Sequence, residues 1–296
     1  MNRALLLLVL SLVASPTLPA QDFSTYTYYD SLQLDYFAPT PGGAASSAAG
    51  RPPLLLYVHG GGFSGGHRRE GYDLCGFLQT RGVACATMSY TLSMRGRTQD
   101  WSCDGVLSEK LRTLQLAASE AWAATAYLVA HADSLGFDPD QIILTGSSAG
   151  AEAILAAAFY DRPTLSLTDH GLADDFRYAG AVSGAGALIS PHLITAENAI
   201  PLLLLHGTDD PLVPYGTAPH HYCQPNDSGW LLLAGAGALV ERLEEVGDSY
   251  HLITHVGGGH GIAGYYFHGG AERMGVVADF VGRLGRGYRF SVRELR

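Results

Sequence analysis

Short apolar runs alternate with longer segments of helical periodicity along most of the chain. The apolar runs predict strands, and a continuous apolar run is typical of a strand buried on both faces of a sheet. These runs lie at residues 54–58, 83–90, 141–145, 178–183, 200–205 and 250–256. Helices are predicted at residues 69–80, 108–132, 151–160, 230–246 and 271–284. Alternating strands and helices indicate an α/β fold, with a mostly parallel central sheet of about eight strands flanked by helices.

The two ends of the chain depart from this pattern. Residues 22–40 alternate apolar and polar side chains, which predicts the edge strands of a hairpin. Residues 41–53 are rich in Gly, Ala, Ser and Pro and predict an exposed loop, whereas residues 285–296 predict a polar tail. Because only a short segment separates the strands at 178–183 and 200–205, we expect little or no cap over the sheet.

Residues 1–20 have the composition of a signal peptide. Arg3 supplies a positive start, residues 4–13 form an apolar core, and Ala20 is a small residue suited to cleavage. The apolar core is too short to span a bilayer as a mature helix, and no later run resembles a membrane span. We therefore expect residues 21–296 to form a single domain that is secreted or periplasmic, with no stable membrane anchor.

The charge of the chain limits its partners. The formal net charge is −10, from 18 Lys and Arg against 28 Asp and Glu, and no basic stripe is visible. Because nucleic-acid binding requires clustered Lys and Arg, nucleic acid is not an expected partner.

Four cysteines in an exported chain permit disulfides, and three pairings are open. Cys103 and Cys223 lie in polar, turn-rich loops, which favours a bridge between them. Cys75 lies in a predicted helix and Cys85 in a predicted strand, so each is expected to be a buried free thiol. None of the four has the spacing of a metal site.

Residues 146–150 (Gly-Ser-Ser-Ala-Gly) are the strongest candidate for chemistry. They follow the apolar run at 141–145 and precede an Ala-rich predicted helix. Gly-x-Ser-x-Gly between a strand and a helix is the nucleophile-elbow motif, in which small neighbours allow a tight turn that exposes the serine hydroxyl. The bare pattern is a weak signal in a chain with 37 Gly, and its context strengthens it. We predict Ser148 as a catalytic nucleophile, with Ser147 pointing elsewhere.

Three other loops offer the remaining catalytic parts. Residues 59–62 (His-Gly-Gly-Gly) follow a central strand and expose backbone N–H groups that suit an oxyanion hole, with a flexible turn as the alternative. An aspartate after the strand at 200–205 suits the acid of a triad, and Asp209 and Asp210 are adjacent candidates. Acidic residues at strand ends are also common turn formers. His260 lies among glycines after the last predicted strand, where its side chain can reach the serine.

Along the chain the candidate residues come in the order Ser148, Asp210, His260. With the glycine loop they resemble the motifs of the α/β-hydrolase fold, whose triads run Ser, Asp, His along the chain. Within that fold the chain resembles carboxylesterases with an HGGG oxyanion loop, and among them compact secreted bacterial feruloyl and acetyl-xylan esterases. The resemblance implies a triad of Ser148, Asp210 and His260. It favours Asp210 over Asp209 through the register His-Gly-x-x-Asp that begins at His206.

The same resemblance implies the rest of the chemistry. The oxyanion donors are expected to be the backbone amides of Gly61, Gly62 and Ala149. Ser148 is expected to form an acyl-enzyme with His260 as general base, with no metal or organic cofactor. The expected substrates are small-molecule or polysaccharide-linked esters, such as acetyl or feruloyl esters of carbohydrates, and the oligomeric state is left open. The alternatives are a peptidase-like hydrolase and a catalytically inactive binding module of the same fold.

Overall fold

The computed structural model describes residues 22–40, 50–168 and 171–296. The predicted signal peptide and most of the loop predicted at 41–53 lie outside these ranges. The strands are β1 Ser24–Tyr29, β2 Leu32–Phe37, β3 Leu54–Val58, β4 Ala84–Met88, β5 Ile142–Ser147, β6 Gly180–Gly184, β7 Leu202–Gly207, β8 Thr217–Pro219, β9 Leu232–Ala234, β10 Tyr250–His255 and β11 Ser291–Leu295. The helices are α1 Tyr72–Gln79, α2 Leu107–Ala130, α3 Ala132–Leu135, α4 Ala149–Phe159, α5 Arg162–Leu165, α6 Ala236–Val246, α7 Ile262–Tyr265 and α8 Ala271–Gly285.

Nine of these strands form one sheet in the order β1-β2-β4-β3-β5-β6-β7-β10-β11. β2 is antiparallel to both β1 and β4, and every other neighbouring pair is parallel. The predicted mostly parallel sheet and its edge hairpin are confirmed, and the sheet is larger than expected. β8 and β9 pair separately as a short antiparallel ribbon.

Two segments differ from the prediction, because pairing with other strands, and not the local sequence pattern, makes each of them a strand. β11 lies where a polar tail was predicted, and it pairs in parallel with β10 from Ser291 to Leu295. Its side chains alternate between exposed and half-buried, since it forms the outer edge of the sheet. The helix predicted to begin at residue 230 begins at Ala236, because residues 232–234 pair with β8 instead.

The sheet separates two apolar layers. Alternate residues of β3 point to opposite faces, as the strand period of two requires. Leu54, Leu56 and Val58 join the layer that contains α2, α4 and α6, and Leu55 and Tyr57 join the layer that contains α1 and α8. All five are fully buried, which explains why the sequence of this strand does not alternate. None of the helices in the described ranges has the length and apolar character needed to cross a membrane.

Two disulfides join the described cysteines. The predicted bridge between Cys103 and Cys223 is present and joins the loop before α2 to the loop between β8 and β9. The expectation of free thiols at Cys75 and Cys85 was wrong, because these two are bonded to each other, with Cα atoms 5.2 Å apart. A short connection folds α1 directly onto β4, which brings the facing side chains of helix and strand together.

Candidate active site

Ser148 occupies the turn between β5 and α4. Its backbone has φ 52° and ψ −126°, a conformation that a non-glycine residue keeps only where the surrounding structure enforces it. Its N–H donates to the carbonyl oxygen of Gly184 at 2.8 Å, which fixes the turn against β6. A Cβ at Gly150 would stand 2.1 Å from the carbonyl oxygen of Val58, so only glycine allows α4 to approach β3 this closely. The turn therefore has the strained, small-residue geometry of a nucleophile elbow.

Ser148, His260 and Asp210 form a continuous line of hydrogen bonds. Ser148 Oγ lies 2.8 Å from His260 Nε2, and His260 Nδ1 lies 2.7 Å from Asp210 Oδ2. An ionised carboxylate only accepts, so Nδ1–H donates to Asp210 and Nε2 accepts from the Ser148 hydroxyl. In this tautomer the imidazole can act as a general base toward the serine.

The surroundings of Asp210 keep its carboxylate ionised. Burial raises the pKa of Asp210, but hydrogen bonds from His206 and His260 and from the Leu212 amide outweigh burial and hold the pKa well below its ordinary value. Oδ1 accepts from the N–H groups of Leu212 and Val213, at 2.9 and 3.0 Å. These two bonds orient the carboxylate so that Oδ2 faces the imidazole.

The two adjacent acids after β7 differ in their exposure and contacts. Asp209 is exposed, and its carboxylate accepts from the Thr208 hydroxyl at 2.9 Å. Its N–H donates to the carbonyl oxygen of Gly258 at 3.0 Å, which ties this loop to the glycine loop that carries His260. The structure thus brings Asp210, and not Asp209, to the imidazole.

The glycine loop after β3 lies against the elbow. A Cβ at Gly60 would stand 3.3 Å from Ser148 Cβ. Gly61 and Gly62 have φ of 107° and 59°, in the left-handed region that favours glycine. Among the described residues, neither of their N–H groups has an acceptor. The N–H of Ala149 is the first of α4, where no intrahelical acceptor exists. Three donors without internal partners therefore lie in the two segments that adjoin Ser148.

His59 holds the start of the glycine loop in place. Its ring is buried and stacks on Tyr90, with ring centroids 4.4 Å apart. Its Nδ1 lies 2.8 Å from the carbonyl oxygen of Gly60, and the Tyr90 hydroxyl donates to the His59 carbonyl at 2.9 Å. Burial lowers the pKa of His59, so the ring is a neutral support for the loop.

A buried cluster beside the site was missed by the sequence analysis. Phe63 follows the glycine loop and packs on Trp101, with ring centroids 4.5 Å apart. Trp101 packs in turn on His220, at 5.2 Å. Lys110 and Glu152 are buried within helices α2 and α4. The available signal was a charged residue within the apolar stripe of each predicted helix.

The site is open to solvent. The segment between β6 and β7 contains one short 3-10 turn, Pro191–Leu193, and no α-helix that could act as a cap. Ser148 is half-buried, and 22% of the His260 side chain is exposed. The Ser148 hydroxyl can therefore be reached from solvent.

Solved esterases share this fold. The apo form of Thermogutta terrifontis esterase 2 aligns with a TM-score of 0.63 and 19% identity, over 91% of this chain and 97% of that chain. The same enzyme phosphorylated by paraoxon aligns with a TM-score of 0.63 and 18% identity, over 91% and 96% of the two chains. The propionate-bound form aligns with a TM-score of 0.60 and 16% identity, over 90% and 95%. No curated protein matches the sequence. At these identities the likeness shows the α/β-hydrolase fold alone.

The match to a family model establishes the class of the protein. The model described as Carboxylesterase family matches residues 14–163, just over half of the 296 residues. The matched segment contains the glycine loop and Ser148, whereas Asp210 and His260 lie beyond it. The chain therefore belongs to the carboxylesterase family and is a carboxylic ester hydrolase.

Proposed function

We propose that this carboxylesterase is an exported serine hydrolase that cleaves esters through a triad of Ser148, His260 and Asp210. The observation that carries the proposal is the line of hydrogen bonds from Ser148 Oγ through the imidazole to the buried carboxylate. The strained backbone of Ser148 also supports it, because such strain clusters at functional sites.

The reaction proceeds through an acyl-enzyme. Ser148 Oγ attacks the ester carbonyl carbon while His260 Nε2 takes the hydroxyl proton. Asp210, at 2.7 Å from Nδ1, stabilises the imidazolium that results. The tetrahedral intermediate collapses as His260 gives its proton to the leaving alcohol. Water then attacks the acyl carbon with His260 again as base. The bond from the acyl carbon to Ser148 Oγ breaks, His260 returns its proton to Oγ, and the acid is released.

The negative charge of the tetrahedral intermediate requires preorganised donors. The free N–H groups of Gly61, Gly62 and Ala149 are the proposed oxyanion hole, and each donor used contributes about 3 kcal/mol to transition-state stabilisation. Because Ala149 is the first residue of α4, the positive end of the helix dipole adds to this stabilisation.

The proposed substrates are esters with short or sugar-linked acyl groups. Structures of the Thermogutta terrifontis enzyme contain propionate and butyrate, which supports short acyl groups here. The open site also suits an acyl group carried on a polysaccharide, such as an acetyl or feruloyl ester. Export is supported by the predicted signal peptide at residues 1–20 and by the two disulfides, which persist in oxidising compartments.

Hydrolysis of p-nitrophenyl acetate by the mature chain and by Ser148→Ala tests the proposal. We expect the parent to hydrolyse this ester and the variant to have a kcat lower by about 10⁶-fold. Paraoxon, which phosphorylates the Thermogutta terrifontis enzyme, is expected to label the parent at Ser148, as read by mass spectrometry of the peptide. Equal turnover in both proteins, or labelling at another residue, would contradict the proposed nucleophile.

Three further substrates distinguish the alternatives. Acetylated xylan and methyl ferulate test the carbohydrate esters, and an aminoacyl nitroanilide tests the peptidase. Release of nitroaniline at a rate above that of ester cleavage would favour the peptidase. If none of these compounds is hydrolysed and paraoxon does not label the protein, an inactive binding module is favoured.

A further inference from the structure

Glu152 and His220 form a buried pair that the proposed mechanism does not use. Glu152 lies one turn into α4, and its N–H donates to the carbonyl oxygen of Ser148 at 3.0 Å. His220 directly follows β8. Each side chain is 1% exposed, and Glu152 Oε1 lies 3.8 Å from His220 Nε2. Among the described residues, both carboxyl oxygens and both ring nitrogens lack a hydrogen-bond partner.

Four unpartnered polar atoms in one buried place indicate a proton shared within the pair. A buried polar atom without a partner is destabilising, because it has lost its hydrogen bonds to water and gained none in the fold. A protonated carboxyl can donate its O–H to the neutral imidazole, which satisfies one atom of each residue and leaves no net charge in the interior. A shift of about 1 Å would bring the two atoms to ordinary hydrogen-bond distance.

On one side, His220 supports the loop that carries Asp210. The His220 N–H donates to the carbonyl oxygen of Leu231, and the His221 N–H donates to that of Leu212, both at 2.8 Å. The Leu212 N–H is one of the two that orient the Asp210 carboxylate. The backbone of His221 has φ 55° and that of the next residue φ 54°, so this segment is held in a conformation that its surroundings must enforce.

On the other side, His220 supports the glycine loop. Its ring packs on Trp101, and Trp101 packs on Phe63, the residue after Gly62. A Cβ at Gly62 would lie 3.6 Å from Trp101 Cδ1, so the same indole also borders the glycine. The Glu152–His220 pair therefore lies where α4, the Asp210 loop and the glycine loop meet.

Burial keeps the Glu152 carboxyl neutral at neutral pH. Burial raises the pKa of Glu152 to about 8, opposed by Lys110 of α2 and reinforced by Asp210. Burial lowers the pKa of Lys110 to about 8, and its Nζ donates to the carbonyl oxygens of Gly229 and Ser102 at 2.8 and 3.3 Å. Lys110 thus binds backbone oxygens and does not pair with the carboxyl.

The imidazole and two phenols complete these surroundings. Burial holds the pKa of His220 well below its ordinary value, and charge on His221, Lys110 and His260 lowers it further. Burial also raises the pKa of Tyr90 and of Tyr160 well above the ordinary value, so both hydroxyls near Glu152 stay neutral.

We propose that Glu152, as a neutral acid, donates to His220, and that this contact positions the Asp210 loop and the glycine loop around Ser148. Ionisation of Glu152 places a negative charge one helical turn from Ser148. That charge repels Asp210 and opposes the oxyanion that forms in the transition state. Turnover is therefore lost on the alkaline side as Glu152 ionises. Both are positioning residues, and their effect on turnover rests on the proposed triad.

The dependence of kcat on pH tests the inference through Glu152→Gln, which can donate to His220 but cannot ionise. We expect Glu152→Ala and His220→Leu to lose about 10- to 100-fold in kcat with little change in KM, as misplaced catalytic groups do. Glu152→Gln is expected to rescue most of that loss and to keep its turnover above a pH of about 8, where the parent declines. Exposed Glu241→Gln on α6 is the matched control, and it should follow the parent profile.

Stability against pH gives a readout that needs no catalysis. The folded-state pKa of Glu152, about 8, lies above the unfolded value of about 4.3. The Tm of the parent should therefore fall relative to that of Glu152→Gln as the pH rises between these two pKa values. Above the folded-state pKa the difference in Tm should become constant.

Four results would overturn the inference. The first is a Tm difference between the parent and Glu152→Gln that does not change with pH, which would mean that Glu152 is ionised in the fold. The second is an alkaline decline that persists in Glu152→Gln, as titration of Lys110 would produce. The third is unchanged kcat in Glu152→Ala and His220→Leu beside a lower Tm, which would make the pair structural. The fourth is a parent that hydrolyses no ester and is not labelled by paraoxon. That result would overturn the proposed function, and with it the role of the pair in positioning the catalytic loops. The comparison of Tm against pH would still show whether Glu152 is protonated in the fold.

Discussion

At the scale of single residues, Ser148 depends on neighbours that have no chemistry of their own. Gly150 is the clearest case, because the carbonyl oxygen of Val58 occupies the space that a side chain would need. By contrast, a Cβ at Gly275 in α8 would meet no atom within 4 Å. Gly150 therefore records a close approach between α4 and β3, and Gly146 records the tightness of the turn, because a Cβ there would stand 2.4 Å from the carbonyl oxygen of Gly150. This is why a short sequence motif predicts a three-dimensional turn.

The two adjacent aspartates give a matched pair of variants. Asp210→Asn is expected to lower kcat by about 10⁴-fold, because an amide at this position no longer holds His260 in the tautomer that accepts the serine proton. Asp209→Asn should leave kcat unchanged, since its exposed carboxylate contacts Thr208 and not His260. Steady-state hydrolysis of p-nitrophenyl acetate measures both. A larger loss for Asp209→Asn would assign the acid to the other residue.

At the scale of elements, the two disulfides differ in what they join. Cys103–Cys223 closes a separation of 120 residues and links the loop that carries Trp101 to the segment that carries His220. Cys75–Cys85 closes a separation of 10 residues between α1 and β4, on the face of the sheet that α8 also covers. The first bridge therefore braces elements around the site, and the second braces the fold away from it.

Removal of each bridge separates these two roles. The Cys103→Ser, Cys223→Ser double variant is expected to lose about 4–5 kcal/mol of unfolding free energy, as expected for a long loop. It should also lose about tenfold in kcat, since Trp101 and His220 are no longer tied together. The Cys75→Ala, Cys85→Ala variant should lose about 3 kcal/mol with kcat unchanged.

Denaturant unfolding and ester hydrolysis on the same preparations measure the two effects. If both double variants have the kcat of the parent, the Cys103–Cys223 bridge contributes to stability only. A loss of kcat confined to the Cys75→Ala, Cys85→Ala variant would place the sensitive contact on the opposite face of the sheet.

At the scale of the whole molecule, the proposed export is linked to folding through these bonds. The four described cysteines all pair, and disulfides form and persist in oxidising compartments. The formal net charge of −10 favours solubility in any compartment. The Cys103–Cys223 bridge ties together the segments that carry Trp101 and His220, which pack on each other beside the proposed active site, so the oxidised protein is the form expected to act.

Expression of the full chain in cells with a secretory pathway tests this link. We expect an exported protein that begins near Gln21, carries both disulfides and hydrolyses esters. A chain without residues 1–20 should stay inside the cell with reduced cysteines and a lower Tm. Mass spectrometry of the N-terminal peptide and a thiol count distinguish the two forms. An exported protein that still carries Arg3 would contradict the predicted cleavage.

Much of the fold could be predicted because buried parallel strands have a local signature. The strands at 54–58 and 202–207 are nearly continuous apolar runs, since both of their faces are covered by helices. β11 has no such signature, because it lies at the edge of the sheet and gains its pairing from β10. The start of α6 was misplaced for a different reason. Residues 232–234 are apolar and fit the beginning of a helix equally well, and only their pairing with β8 and the bridge from Ala234 to Leu188 make them a strand.

By itself, the sequence determined the α/β class, the chain order of the candidate residues and the context of Ser148 between a strand and a helix. These depend on short-range periodicity and on turns that only small residues can make. The family register favoured Asp210 over Asp209, and the structure brings Asp210 to His260. The tertiary structure alone decided that Cys75 bonds Cys85 and that Glu152 meets His220 beneath the elbow. Each of these depends on how separate elements pack, and packing brings together side chains whose spacing along the chain carries no periodic or motif signal.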